Sequence, residues 1–153
     1  MTTIIKNADV RTIAKGILVS RATATLPQST TGNIFTITGG RIILRGLVGT
    51  VTTIIQVQAD ATKLTSSPTT GSAVDLCTTT DITGLEVGGM LALPAAVGSA
   101  LVKANGGACA IADPGLVLPV GSIVLNCGAS NTGSVKWDLI YTPLDNGAQV
   151  AAA

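Results

Sequence analysis

Apolar and polar residues alternate with a period of two along much of this chain, and Gly, Pro and Asn-Gly punctuation cuts the alternation about every 8 to 12 residues, the pattern of short half-buried strands. The pattern is clearest near the C-terminus. There Val135, Trp137, Leu139 and Tyr141 fall on one face and Lys136, Asp138, Ile140 and Thr142 on the other, which predicts a strand with Trp137 central to the core. Ser130-Asn131-Thr132-Gly133 reads as a hairpin turn that pairs this strand with Ser122 to Cys127, where Ile123, Leu125 and Cys127 share a face. Pro143 and Asp145-Asn146-Gly147 end the pairing.

Upstream, residues 33–38 place Phe35 and Ile37 inward, and Gly39-Gly40 reads as the turn of a second hairpin into residues 41–48. In that next strand Ile42, Leu44 and Val48 share the face opposite Arg41 and Arg45. A bend at Gly49-Thr50 leads to residues 51–59, with Ile55, Val57 and Ala59 opposite Gln56 and Gln58, so that three sequential strands form a meander. Further strands are expected at 16–26, 61–65, 72–78, 89–93, 108–112 and 149–152. About ten strands in one domain fold as two packed sheets, because so wide an open sheet curls or splits. The expected fold is therefore an all-β, single-domain sandwich of jelly-roll type over residues 17–153, preceded by a short extended N-terminal arm, residues 1–16. The nearest thing to a helical segment is Pro94 to Lys103, a short helix or a loop across one end.

Composition narrows the function. The 153 residues include no histidine, one residue each of Phe, Tyr and Trp (Phe35, Tyr141, Trp137), and only 11% charged side chains. Most groups that act as general acids, bases or metal ligands near neutral pH are thus absent, and no Ser-His-Asp or Cys-His arrangement can be assembled. No catalytic residue, metal site or cofactor is expected. Cys77, Cys109 and Cys127 are odd in number and lack Cys-x-x-Cys spacing, which suits buried free thiols in a reducing compartment better than zinc or disulfides. The Gly84–Gly89 segment lacks the Lys-Ser/Thr of a phosphate loop and reads as a turn. Asp75, Asp81 and Glu86 do not follow calcium-loop spacing.

A mean hydropathy of +0.57 in a chain with so little charge favours burial against copies of itself or a larger assembly. The longest uncharged run, Pro114 to Val135, is broken by Gly115, Pro119, Gly121 and Asn126, so no membrane-spanning helix is read there. The N-terminus lacks the apolar core of a secretory signal, and cytoplasmic synthesis is expected.

The net charge of +1 hides a polarity. Residues 1–45 hold Lys6, Arg11, Lys15, Arg21, Arg41 and Arg45 against Asp9 alone, +5; the remainder holds three cations against seven anions, −4. That asymmetry points the N-terminal segment at an acidic partner, with Lys6, Arg11, Lys15 and Arg21 the candidate contacts and β-augmentation a suitable mode for the Thr-Ile-Ile start. Nucleic acid is disfavoured as that partner, since the basic residues are not interleaved with aromatics and the net charge is low.

Three stretches carry a resemblance: Leu26-Pro27-Gln28-Ser29-Thr30-Thr31-Gly32-Asn33-Ile34-Phe35-Thr36-Ile37-Thr38-Gly39-Gly40-Arg41, Gly49-Thr50-Val51-Thr52-Thr53, and Gly133 to Asp145 with its Val-Lys-Trp-Asp-Leu-Ile-Tyr-Thr-Pro core. Together they resemble small structural proteins encoded in tailed-bacteriophage head gene clusters, and among these capsid decoration (cement) proteins. The resemblance implies a virion component on the capsid exterior, a homotrimer at local three-fold positions of the major capsid protein lattice. The alternative is another virion part, such as a tail- or fibre-associated protein that binds a host surface.

Overall fold

The computed structural model describes residues 6–153. The described residues form one helix, α1 (Asn7–Lys15), and twelve strands: β1 (Ile17–Thr25), β2 (Thr31–Thr38), β3 (Ile42–Thr53), β4 (Ala61–Pro68), β5 (Val74–Asp75), β6 (Thr80–Asp81), β7 (Met90–Ala92), β8 (Val102–Ala104), β9 (Leu116–Leu118), β10 (Gly121–Asn126), β11 (Ser134–Pro143) and β12 (Gln149–Ala152). They build two antiparallel sheets. The first runs β1-β11-β3-β7-β8, with β9 on the other half of β3; the second runs β12-β2-β10-β4-β5, with β6 against β4. The first strand thus pairs with the eleventh, the second with the tenth, the third with the seventh and the fourth with the fifth. A long paired ribbon rolled so that successive strands alternate between sheets has this order, and it is a jelly roll, with β12 added beside β2.

The core lies between the inner faces. The first sheet contributes Leu44, Leu47, Val51, Val135, Trp137, Leu139 and Tyr141, and the second Phe35, Ile37, Leu64, Ile123 and Leu125. Trp137 and Phe35 are the largest fully buried side chains. Trp137 fits because its cross-strand partner is Gly49, where a Cβ would stand 2.9 Å from the indole Cζ3. In effect the ring fills the place of the missing side chain.

Period-two alternation states which face a residue occupies but not which strand it pairs with, and four expectations yield on that ground. Residues 33–38 and 41–48 do not form a hairpin, because β2 and β3 belong to opposite sheets and Gly39-Gly40 carries the chain across the sandwich. Likewise β10 and β11 lie in different sheets. Their connection is fastened as a corner: the buried Asp60 accepts through Oδ1 from the backbone N–H groups of Gly128 (2.8 Å) and Ala129 (3.2 Å), while Asn131 Oδ1 accepts from those of Gln56 (2.9 Å) and Gly133 (3.1 Å). There is no bend at Gly49-Thr50, since β3 runs unbroken to Thr53, and residues 54–59 form no strand, so the meander is absent. A bulge beside Arg45 inverts the alternation within β3: Ile42 and Leu44 point inward before it, Leu47 and Val51 after it, and Val48 turns outward. Residues 72–78 shrink to the two-residue β5, 108–112 form no strand, and Pro94 to Lys103 is irregular up to β8.

The N-terminal segment is also corrected. Residues 7–15 are helical, not extended. Asp9 sits in the first turn and its carboxylate accepts the Lys6 backbone N–H at 3.2 Å, Lys15 lies in the last turn, and both placements favour the helix dipole. The helix stops at Gly16, whose φ of 99° suits glycine and whose absent side chain leaves room for the Tyr141 carbonyl oxygen. The Thr-Ile-Ile start expected to augment a sheet falls outside the described residues.

Candidate interaction surface

Every side chain of α1 is exposed. A helix turns 100° per residue, so Val10, Ile13 and Ala14 share one side, while Arg11 and Lys15, four residues apart, share another. Arg11 and Lys15 are therefore carried together on this one element, with Lys6 at the residue that caps its N-terminus. Arg21 is apart from them on β1, and its Nε donates to the Ala153 carbonyl oxygen at 2.8 Å, tying the edge of the first sheet to the last strand of the second. None of the four forms an ion pair with a described residue.

The other two cations of the basic segment are engaged within the fold. Arg41 Nη2 lies 2.7 Å from Asp145 Oδ1, and Arg45 Nη2 lies 2.9 Å from Asp113 Oδ2. The Arg41 guanidinium, helped by its own backbone N–H, pulls the Asp145 carboxyl down to about 2. Folding thus cancels part of the +5 segment against the acidic remainder and leaves the outward positive charge concentrated on α1. The apolar side of that helix escaped the sequence reading, although Asp9, the 10, 13, 14 spacing and Gly16 are its signals.

Two apolar depressions mark the sandwich. One, of about 200 Å³, lies where β5 and β9 approach, lined mainly by Val74, Leu76, Val97, Leu116, Leu118 and Pro119. The other, of about 400 Å³, runs over the outer face of the first sheet between Leu18, Val48, Ile111 and Ile140. Lys136 and Asp138 border the second, Asp138 accepting a hydrogen bond from Ser20 Oγ. The first has no titratable side chain in its lining.

Among the described residues no three His, Cys, Asp or Glu side chains gather as a metal site, and no helix is long and apolar enough to cross a membrane. The three cysteines are free. Cys77 and Cys127 are buried, and burial with the nearby Asp60 charge pushes the Cys127 thiol up to about 12, which disfavours its thiolate form near neutral pH. Cys109, expected to be buried, is half-exposed, because residues 105–115 form an irregular glycine-rich loop in place of a strand. Asp60 and Asn131 are the buried polar residues with demanding chemistry, and both fasten the β10–β11 corner.

The fold is an all-β jelly-roll sandwich whose described surface carries a basic helix and two apolar depressions. Comparison with protein-family models, with curated proteins and with solved structures returned no match.

Proposed function

We propose that this chain is a capsid decoration protein, binding the outside of an icosahedral phage head as a homotrimer and reinforcing the major capsid protein lattice. The observation that carries the reading is α1: a short basic helix with all its side chains in water, mounted at the edge of a well-packed sandwich. Such an element spends its chemistry outside its own domain. The resemblance of residues 26–41, 49–53 and 133–145 to phage head proteins supplies the context, and jelly rolls serve widely in viral capsids. Neither a cofactor nor nucleic acid nor a membrane enters the mechanism. Lys6, Arg11 and Lys15 meet acidic capsid surface, and three copies engaging together convert weak contacts into durable attachment.

The test is binding of the chain lacking residues 1–15 to undecorated heads. The truncated sandwich remains folded and attaches more weakly than the full chain, and added salt weakens full-length attachment in part, since screening acts on exposed charges and spares apolar contact. Equal attachment, with equal protection of the heads against heat or osmotic shock, would refute a role for the helix.

A further inference from the structure

The side-chain amide of an asparagine is attacked by the backbone nitrogen of the next residue most readily when that residue is glycine, which puts no Cβ in the way. Among the asparagines of the chain, Asn105 and Asn146 are followed by glycine, Gly106 and Gly147. Both are exposed, yet the fold treats them differently. Asn146 lies in a closed turn, where Ala148 N donates to the Asp145 carbonyl at 3.2 Å. The Asp145 carboxylate accepts from the Arg41 backbone N–H at 2.8 Å and from Nε and Nη2 of its side chain at 2.8 and 2.7 Å. The Gly147 carbonyl oxygen is also wedged against Gly39, where a methyl group would clash. The Asn146–Gly147 peptide therefore cannot swing its nitrogen onto the side chain without opening that turn. Asn105, in contrast, begins an irregular loop just after β8, followed by Gly106 (φ 96°) and Gly107 (φ 79°), with nothing within 4 Å of where either Cβ would stand. Only the electrophile is held: the Glu86 backbone N–H donates to Asn105 Oδ1 at 2.9 Å, so the oxygen that turns negative during attack already has its donor.

We propose that Asn105–Gly106 is a site of self-modification, where the loop closes a succinimide ring that opens to aspartate and isoaspartate. The Gly106 nitrogen forms a bond to Asn105 Cγ and gives its proton to water, while the Cγ–Nδ2 bond breaks and ammonia leaves with a proton taken from water. A water molecule then hydrolyses either ring carbonyl. No electron changes hands, and water, which reaches this exposed loop, is the co-reactant. An aspartate at this position keeps an oxygen for the Glu86 N–H, whereas an isoaspartate lengthens the backbone by one methylene and displaces it. Either product adds one negative charge, which takes the formal net charge of the chain at pH 7 from +1 to zero. This chemistry belongs to the chain alone and does not depend on the capsid reading.

The experiment incubates the full chain in mildly alkaline heavy-oxygen water and maps the products by mass spectrometry. In the native protein residue 105 gains one heavy oxygen and yields a mixture that contains isoaspartate. Asn146 converts more slowly by about tenfold or more, the factor that each 1.4 kcal/mol or so needed to open its turn imposes on the rate. In urea, where neither loop nor turn persists, the two Asn-Gly pairs convert at similar rates. Equal native rates at the two sites, faster conversion at Asn146, or a native chain that leaves Asn105 intact overturns the inference. So does labelled aspartate without isoaspartate, which marks direct hydrolysis, or a native preference for Asn105 that survives unchanged in urea and so owes nothing to the fold.

Discussion

Replacing Trp137 by alanine removes the largest side chain of the core from a site where it is 1% exposed. The indole lies between β1 and β3, paired in register with Arg21 on one side and Gly49 on the other, with Val135 two residues before it on the same buried face. Gly49 has no side chain to move into the vacated space, so the cavity persists instead of collapsing. Loss of transfer free energy together with the unfilled cavity costs about 3 to 5 kcal/mol. That is a large share of the 5 to 15 kcal/mol or so that stabilises an ordinary domain. At about 2 to 4 °C per kcal/mol for a chain of this size, the melting temperature falls by roughly 6 to 20 °C. Urea unfolding followed by far-ultraviolet circular dichroism measures the change without depending on the lost fluorophore. Native wild-type emission should be blue-shifted and resistant to iodide. A loss below about 1 kcal/mol, well under the range for a buried Trp→Ala change, or a red-shifted, readily quenched wild-type emission, would refute the buried position of the ring.

Gly49→Ala, which drives a methyl group to 2.9 Å from the same indole, should cost about 1 to 3 kcal/mol, and a neutral result in thermal melting would show that the ring has room to move. Asp145 is held at about 2 against an ordinary 3.8 by the Arg41 side-chain and backbone donors, so its contribution to stability is complete above pH 3.8 and is lost as pH falls through about 2. Carboxyl titration by NMR should find this depressed value, Asp145→Asn should remove that component of the acid dependence, and an ordinary titration near 3.8 would contradict the ion pair. A thiol reagent should modify Cys109 in the native protein and reach Cys77 and Cys127 only on unfolding, and a reducing agent should leave the melting temperature unchanged. Cys127→Ser should cost more than Cys127→Ala, because it buries a hydroxyl that needs a partner; equal melting of the two variants would show that Thr62 or Asp60 accepts it freely.

Much of the fold was legible along the chain. The alternation from Val135 to Tyr141 marks a buried face, Gln149–Ala152 is a strand within the expected bounds, and the β-branched, glycine-cut texture demands two packed sheets. Side-chain period encodes the face of each strand, and solvent enforces it locally. Partnership is different in kind. Whether β2 turns back on itself or crosses to the other sheet depends on closing contacts far apart in sequence, and here Asp60 and Asn131 secure a corner that the Ser130–Gly133 turn signal alone reads as a hairpin. The bulge beside Arg45 likewise exchanges Val48 for Leu47 at the core, a shift that follows from the twist and register of β11 rather than from the composition of β3. For the candidate surface, the chain by itself determined the basic character of residues 6–15, whereas their sequence reads as an extended arm where the structure has a helix, the Asp9 and Gly16 signals at its ends being outweighed by the strand-like texture of the rest. Only the tertiary structure paired Arg41 and Arg45 with distant carboxylates, left α1 uncovered, and brought Leu18, Val48, Ile111 and Ile140 from three strands and a loop into one groove, because such a surface exists only after the sheets have closed.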